Sequence, residues 1–199
     1  MLETAPIPGG SSGLGLYQRG SDYLIKIVGG QGLMSARAHG SEEALGEISC
    51  AEFAQREGAR ILIGGLGVGF TLSSALRQLG PDTEVIVAEL VPAVVAWNRG
   101  RLGEFAGHPL RDDRVRVREG DVSLILGEAA SVLDAIVLDV DNGPEGLTRK
   151  ANLELTPFGG HLISQGERGS KYQERDRRMG RSFDNRWWSW SDRVVVLRN

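Results

Sequence analysis

A glycine-rich stretch, Gly64-Gly65-Leu66-Gly67-Val68-Gly69, is the part of this sequence best suited to holding a ligand. It follows an apolar run that predicts a buried strand, and it precedes a segment with helical spacing. Glycines in this context let the backbone turn sharply and approach a ligand closely. A dinucleotide-binding loop has the spacing Gly-x-Gly-x-x-Gly and would need glycine at position 70, where this sequence has Phe70.

Three acidic residues follow apolar runs at the positions where strands are predicted to end. They are Glu89, twenty residues after Gly69, then Asp121 and Asp139. In an open α/β sheet, ligands bind at the carboxyl ends of the strands. A carboxylate there can accept two hydrogen bonds from a ribose diol, or one from an adenine amino group. Each acid taken singly could instead cap a helix or end a solvated loop. With the close glycine spacing, the three together favour a nucleoside that carries a methionine-derived chain.

These residues need a sheet and helices to position them. Short apolar runs at 61–63, 84–88, 115–118, 135–140 and 161–164 alternate with helical patterns at 70–79, 92–102 and 122–130. Apolar strands separated by helices predict a mostly parallel sheet covered on both faces. The fold class is therefore α/β, with a Rossmann-like, doubly wound and mostly parallel sheet. A run at 194–197 could form a last strand.

A small antiparallel β-meander is predicted ahead of this sheet. Runs at 14–19, 23–28 and 33–36 are separated by glycine-rich turns, and residues 1–13 are interpreted as a flexible lead or a first turn. A helix is expected to begin at the N-cap Ser41 and to reach about Arg56, with an apolar stripe at Ala44, Leu45, Ile48 and Ala51. We divide the chain into a meander at 1–40 and a nucleotide-binding domain at 41–199, whose C-terminal segment from about 165 is irregular and basic.

The sequence resembles the spermidine synthase family, the aminopropyltransferases, within the class I methyltransferase superfamily. The likeness covers roughly residues 14–164. It is carried by the meander, Ile61-Leu62-Ile63-Gly64-Gly65, Val87-Ala88-Glu89-Leu90-Val91-Pro92, Asp112-Asp113-Arg114-Val115 before Gly120-Asp121, and Asp134-Ala135-Ile136-Val137-Leu138-Asp139. The resemblance implies that Gly64, Gly65, Gly67 and Gly69 line the methionine portion of S-adenosylmethionine or its decarboxylated form. It places Glu89 on the ribose, Asp121 on the adenine and Asp139 beside the transferred group.

Two departures from the family bear on the reaction. Aminopropyltransferases carry an aspartate inside the glycine loop, where this chain has Leu66-Gly67-Val68, and a second catalytic aspartate at the position of Asn142. Asp139 and Asp141 remain the catalytic candidates, with Glu42 and Glu43 as further acids that could serve a cationic substrate. Because a loop acid would repel a carboxylate, its absence favours intact S-adenosylmethionine and methyl transfer. Aminopropyl transfer in polyamine synthesis, and a non-catalytic binding or scaffold role, are the alternatives.

Composition limits the other possibilities. A net charge of −3 argues against a broad nucleic-acid footprint, although residues 165–199 carry nine Lys/Arg and five Asp/Glu. We see no secretory signal and no apolar run of membrane-spanning length, and we therefore expect a cytoplasmic protein. The expected partner is a small-molecule acceptor, with no membrane or nucleic acid, and a homodimer is possible. No metal-ligand spacing is evident. His39, His161 and Cys50 are interpreted as structural or surface residues.

Overall fold

The structure is a computed structural model that describes residues 1–30, 32–129 and 133–140, and the backbone of 161–164 and 194–197. A four-stranded antiparallel sheet in the order β1-β2-β3-β4 opens the chain. Its strands are β1 (Glu3–Pro6), β2 (Gly13–Arg19), β3 (Asp22–Ile27) and β4 (Gly32–Ser35). Tyr23 and Ile25 are buried in the core, whereas Leu24 and Lys26 between and beside them are only partly buried, so β3 turns one face toward the core.

The first strand corrects our interpretation of residues 1–13 as a flexible lead or a first turn. Glu3–Pro6 pairs along its length with β2, and a side-chain bond holds it against the rest of the molecule. The indole Nε1–H of Trp97 donates to the carboxylate of Glu3 at 2.8 Å. The strand is mostly exposed and carries no apolar alternation, so only its tertiary partners account for it.

The second sheet has six strands in the order β7-β6-β5-β8-β10-β9. The first four run parallel, and β10 lies antiparallel between β8 and β9. The mostly parallel sheet expected from the sequence is confirmed, as is the last strand at 194–197. The six strands are β5 (Arg60–Gly64), β6 (Glu84–Glu89), β7 (Val115–Glu119), β8 (Ala135–Leu138), β9 (His161–Ser164) and β10 (Val194–Leu197).

Both faces of the sheet are covered, because alternate residues of β5 enter different cores. Ile61 and Ile63 join a large cluster that includes the inner face of the N-terminal sheet. Leu62 faces the other way, into a smaller cluster. Two-sided burial explains why the central strands are continuously apolar. The helices of the described part are α1 (Gly40–Cys50), α2 (Phe70–Gln78), α3 (Pro92–Arg99) and α4 (Val122–Ala129).

Helix α1 differs from its sequence prediction at both ends and in its buried face. It ends at Cys50, a 3₁₀ turn follows at Ala51–Phe53, and its N-cap is His39, not Ser41. The buried residues are Gly46, Ser49 and Cys50, whereas Ile48 of the predicted stripe is 55% exposed. A Cβ on Gly46 would overlap the backbone of α2. The two helices therefore cross closely, and such contacts select small residues over apolar bulk.

Candidate functional site

The glycine loop joins β5 to α2 at the carboxyl edge of the parallel sheet. Its backbone is left-handed at three glycines, with φ of 88° at Gly65, 54° at Gly67 and 93° at Gly69. At two of the loop glycines there is no room for a side chain. A Cβ on Gly65 would overlap the backbone carbonyl of Asp139, and a Cβ on Gly64 would lie within 2.9 Å of the side chains of Leu138 and Val122. At Gly67 a Cβ would meet only the Met34 side chain. Gly64 and Gly65 are thus required by packing, and Gly67 turns toward a pocket.

Glu89 ends β6 directly behind the loop and is 8% exposed. Oε2 accepts the N–H of Leu66 at 2.9 Å, and Oε1 accepts the N–H of Val91 at 2.8 Å. Burial raises the pKa of the carboxyl, while the backbone N–H groups of Val91, Leu66, Gly67 and Leu90 oppose the rise. The carboxylate that the resemblance assigns to a ribose therefore already ties the glycine loop to the segment before α3.

Asp121 follows β7 and sits at the start of α4, where it is exposed. Oδ1 accepts both the backbone N–H and the hydroxyl of Ser123 at 2.8 Å, and its carbonyl accepts the N–H groups of Leu124 and Ile125. This is the geometry of a helix N-cap. The capping alternative left open for the acids thus describes the contacts of Asp121 here.

Asp139 follows β8 and lies beside the glycine loop. Its N–H donates to the carbonyl of Gly64 at 2.8 Å, and its carboxylate accepts a hydrogen bond from the hydroxyl of Thr71 on α2. It is half-buried. Asp141, the second catalytic candidate, lies outside the described residues, as does the basic segment at 165–193.

A small pocket brings part of the predicted site together. It is lined by Met34, Ser35, Glu42, Leu66, Gly67, Val68, Gly69, Phe70 and Asp139. Its volume is about 20 Å³, close to the space that one water molecule needs. Two of its three walls come from the N-terminal sheet and α1, and the third is the loop with Asp139. Gly67, Gly69 and Asp139 are thus gathered as expected, whereas Glu89 lies behind the loop and Asp121 caps its own helix.

The sequence offered little signal for the pocket residues contributed by the N-terminal sheet and α1. Met34 and Ser35 belong to β4, and nothing in their spacing ties them to the loop. The sequence marks Glu42 as a candidate acid, but its position near the start of α1 does not show that the side chain reaches the glycine loop. Phe70 packs its ring 4.1 Å from that of His39, nearly parallel, which accounts for His39 as a packing residue.

Cys50 and Arg114 are held in surroundings that give them structural roles. Cys50 is fully buried, and burial raises the pKa of its thiol to about 12. Arg114 forms a bidentate ion pair with Asp112. It also donates to three backbone carbonyls at the end of α2, those of Leu76, Leu79 and Gly80. No helix in the described part is long and apolar enough to cross a membrane, and its acids, histidines and cysteine form no metal-binding group.

No protein-family profile matches the chain, and no curated protein matches it. Solved structures do match. A crystal structure of spermidine synthase in complex with the transition-state analogue AdoDATO aligns with a TM-score of 0.61 at 15% identity, over 77% of this chain and 51% of that one. The chain has a spermidine synthase-like fold.

Two further structures agree with this spermidine synthase-like fold. Spermidine synthase from Thermotoga maritima aligns with a TM-score of 0.59 at 10% identity, over 98% of this chain and 72% of that one. A probable spermidine synthase from Corynebacterium glutamicum ATCC 13032 gives 0.50 at 19% identity, over 81% and 62%. The chain therefore spans between about half and three quarters of the length of these proteins. The expected β-meander followed by a parallel sheet with helices is confirmed.

Proposed function

We propose that this chain binds an adenosyl sulfonium nucleoside at the glycine loop and transfers a group from its sulfur to a small nucleophile. The observation that carries the proposal is the convergence of Gly67, Gly69, Glu42 and Asp139 on one pocket. That pocket lies at the carboxyl edge of a parallel sheet, where open α/β folds bind ligands. One structure with this fold is a complex with a transition-state analogue, which supports the choice of ligand class.

The side chain of Met34 limits the space that the pocket offers to such a ligand. A Cβ on Gly67 would lie 2.9 Å from the sulfur of Met34, so this side chain closes the pocket over the loop. Methionine is unbranched with three rotatable side-chain bonds, and it adapts readily to a new neighbour. Binding would therefore require the Met34 side chain to swing away from Gly67, with the backbone of the loop unchanged.

The charges around the pocket favour the decarboxylated nucleoside, and with it aminopropyl transfer. Among the lining residues, Glu42 and Asp139 are acidic and none is basic. A sulfonium with an ammonium tail is attracted by both acids, whereas a carboxylate tail would be repelled. Methyl transfer from intact S-adenosylmethionine is the second candidate, and the sequence Leu66-Gly67-Val68, which lacks the family's loop acid, is the observation that favours it.

In either reaction the protein's main contribution is to orient the two reactants. Holding a nucleophile close to an activated sulfonium carbon supplies much of such catalysis. Asp139 is held by the hydroxyl of Thr71 and by its backbone bond to Gly64, so its carboxylate has a fixed direction. There it can accept a proton from an attacking amine or hold a cationic amine in place. The nucleoside, when bound, supplies the electrophilic carbon and the thioether leaving group.

Calorimetric titration with the intact and the decarboxylated nucleoside tests the proposal. We expect tighter binding of the decarboxylated form, and about tenfold weaker binding of it in Glu42→Gln, because a charge-assisted contact is lost. Glu47→Gln, an exposed glutamate on the same helix, is the matched control and should bind as the wild type does. Tighter binding of the intact form would favour methyl transfer. No binding of either at millimolar concentration would refute the proposal and favour the scaffold role.

A further inference from the structure

Asn98, near the end of α3, packs against the back of the glycine loop and is 1% exposed. Its Nδ2 donates to the carbonyl of Gly67 at 2.8 Å and to the carbonyl of Val94, one helical turn earlier, at 3.0 Å. Its Oδ1 is buried, has no hydrogen-bond partner among the described residues, and faces Gly69, where a Cβ would lie 3.2 Å away. The amide thus joins α3 to the loop through its nitrogen and fills the space behind the loop through its oxygen.

This contact acts on the part of the loop that most needs an external restraint. Glycine has little intrinsic conformational preference, and Gly65, Gly67 and Gly69 all have positive φ. A backbone bond from the N–H of Gly69 to the carbonyl of Leu66 closes a turn around the peptide that joins Gly67 to Val68. Asn98 fixes which way that peptide faces.

The direction of the peptide has a consequence for the pocket. In a trans peptide the C=O and the N–H point in opposite directions. Because Asn98 holds the Gly67 carbonyl toward α3, the N–H of Val68 points away from α3. Both Gly67 and Val68 line the pocket. Reversing this one peptide would exchange the directions of a donor and an acceptor in the part of the loop that lines the pocket.

We propose that Asn98 is a positioning residue that fixes the Gly67–Val68 peptide in the orientation that receives the methionine-derived chain of the nucleoside. The inference rests on the proposed function for the identity of the ligand. It predicts that Asn98 affects the part of the ligand that lies on the loop and leaves the contacts of the adenosine portion unchanged. A merely structural buried asparagine would affect both portions alike.

The variants Asn98→Ser and Asn98→Ala separate these roles. A serine in a helix can bond the carbonyl four residues earlier, so Asn98→Ser can keep the contact with Val94 while it is too short to reach Gly67. The matched control is Ser49→Ala, because Ser49 is also fully buried and its hydroxyl donates to a backbone carbonyl, that of Leu45, at 2.5 Å. This control removes a buried bond on α1 without touching the loop.

Two measurements are made on each variant. The first is the dissociation constant for whichever adenosyl sulfonium nucleoside the wild type prefers, compared with that for adenosine. We expect Asn98→Ser to weaken the full nucleoside by about fivefold, the value of one ordinary hydrogen bond, and adenosine by less than about twofold. The second is amide hydrogen exchange of the ligand-free protein, where the peptide covering residues 66–69 should exchange about fivefold faster. Ser49→Ala should change neither.

Equal weakening of both ligands, unchanged affinity for both, or unchanged exchange in the loop would each overturn the positioning role. Loss of the fold in both Asn98 variants would also overturn it, because it would make Asn98 a structural residue. If the wild type binds neither ligand, the proposed function fails, and the exchange measurement still decides whether Asn98 holds the loop.

Discussion

Replacing Glu89 with alanine should destabilise the fold, although the residue lies at a predicted ligand-binding edge. Glu89 is only 8% exposed, and the change removes the acceptor for the backbone N–H groups of Leu66 and Val91. A buried donor left without a partner costs about 1–3 kcal/mol, so two cost about 2–6 kcal/mol. Part of this is offset, because the ionised carboxylate is itself disfavoured by burial. We therefore expect a loss of about 2–4 kcal/mol, a large share of the 5–15 kcal/mol typical of a native protein.

The pH dependence gives this reasoning a second test. The folded pKa of Glu89 is raised above its usual value of 4.5, so folding favours the protonated form. The stability that comes from this preference is complete below about pH 4.5 and is lost as pH rises through the raised folded pKa. Glu89→Gln mimics the protonated form and does not titrate. Above about pH 4.5, the unfolding free energy of the wild type should therefore fall with rising pH relative to that of Glu89→Gln.

Urea denaturation of each variant between about pH 4 and pH 8 measures both effects. The matched control is Glu84→Ala, the same substitution at the opposite end of β6, where the side chain is 38% exposed and pairs with Arg60 at 2.7 Å. A surface ion pair contributes about 0–1 kcal/mol, so the control should change little. Glu89→Ala as stable as Glu84→Ala would refute the bracing role of Glu89.

Ligand affinity separates the bracing role of Glu89 from a direct contact with the ribose. If Glu89 braces the loop, Glu89→Ala weakens an adenosyl ligand and its 2′-deoxy analogue by the same factor. If Glu89 binds the ribose diol, the wild type prefers the ribose form and the variant loses that preference. Titration of folded protein with both ligands distinguishes the two, and a loss confined to the ribose form would contradict our account.

Three further predictions follow from the described contacts. Cys50, with its pKa raised to about 12, should react with a thiol reagent at about pH 8 far more slowly in the native protein than in denaturant, and equal rates would show that the site opens. Arg114→Met should cost about 2 kcal/mol in urea denaturation. The hydrogen bond from Arg114 lowers the pKa of Asp112, so this ion pair stabilises the fold above about pH 3.8. Below that pH, the difference in unfolding free energy between the wild type and Arg114→Met should shrink. Gly65→Ala should lower stability by more than about 3 kcal/mol, while Gly58→Ala, also at positive φ but with nothing within 4 Å of its Cβ, should cost only about 1 kcal/mol by the same measurement.

The parallel sheet and the glycine loop were predictable because local sequence specifies them. A continuously apolar strand such as β5 has two buried faces wherever it occurs, and Gly65 is dictated by a close backbone approach. Strand β1 and the buried face of α1 were not predictable in this way. Strand β1 depends on its pairing with β2 and on the distant Trp97. The buried face of α1 consists of small residues at a helix crossing, which give only a weak hydrophobic pattern in the sequence.

The pocket shows the same limit at the level of single side chains. Asp139 could be located from the end of its strand, but Met34 and Glu42 reach the loop from the N-terminal sheet and α1. Their arrival depends on how those elements pack on the parallel sheet, which no spacing within the sequence encodes. The walls of a site contributed by a separate sheet are therefore the part that sequence patterns predict least well.

An acid at the end of a parallel strand is ambiguous for a physical reason. The next helix begins there with backbone N–H groups that lack partners within the helix, and a carboxylate satisfies them as well as it satisfies a ligand. Asp121 serves its own helix, Glu89 serves the loop and the segment before α3, and Asp139 alone of the three lines the pocket. The end of a strand therefore predicts where an acid lies, whereas its hydrogen-bond partners, which depend on tertiary packing, decide which neighbouring groups it holds.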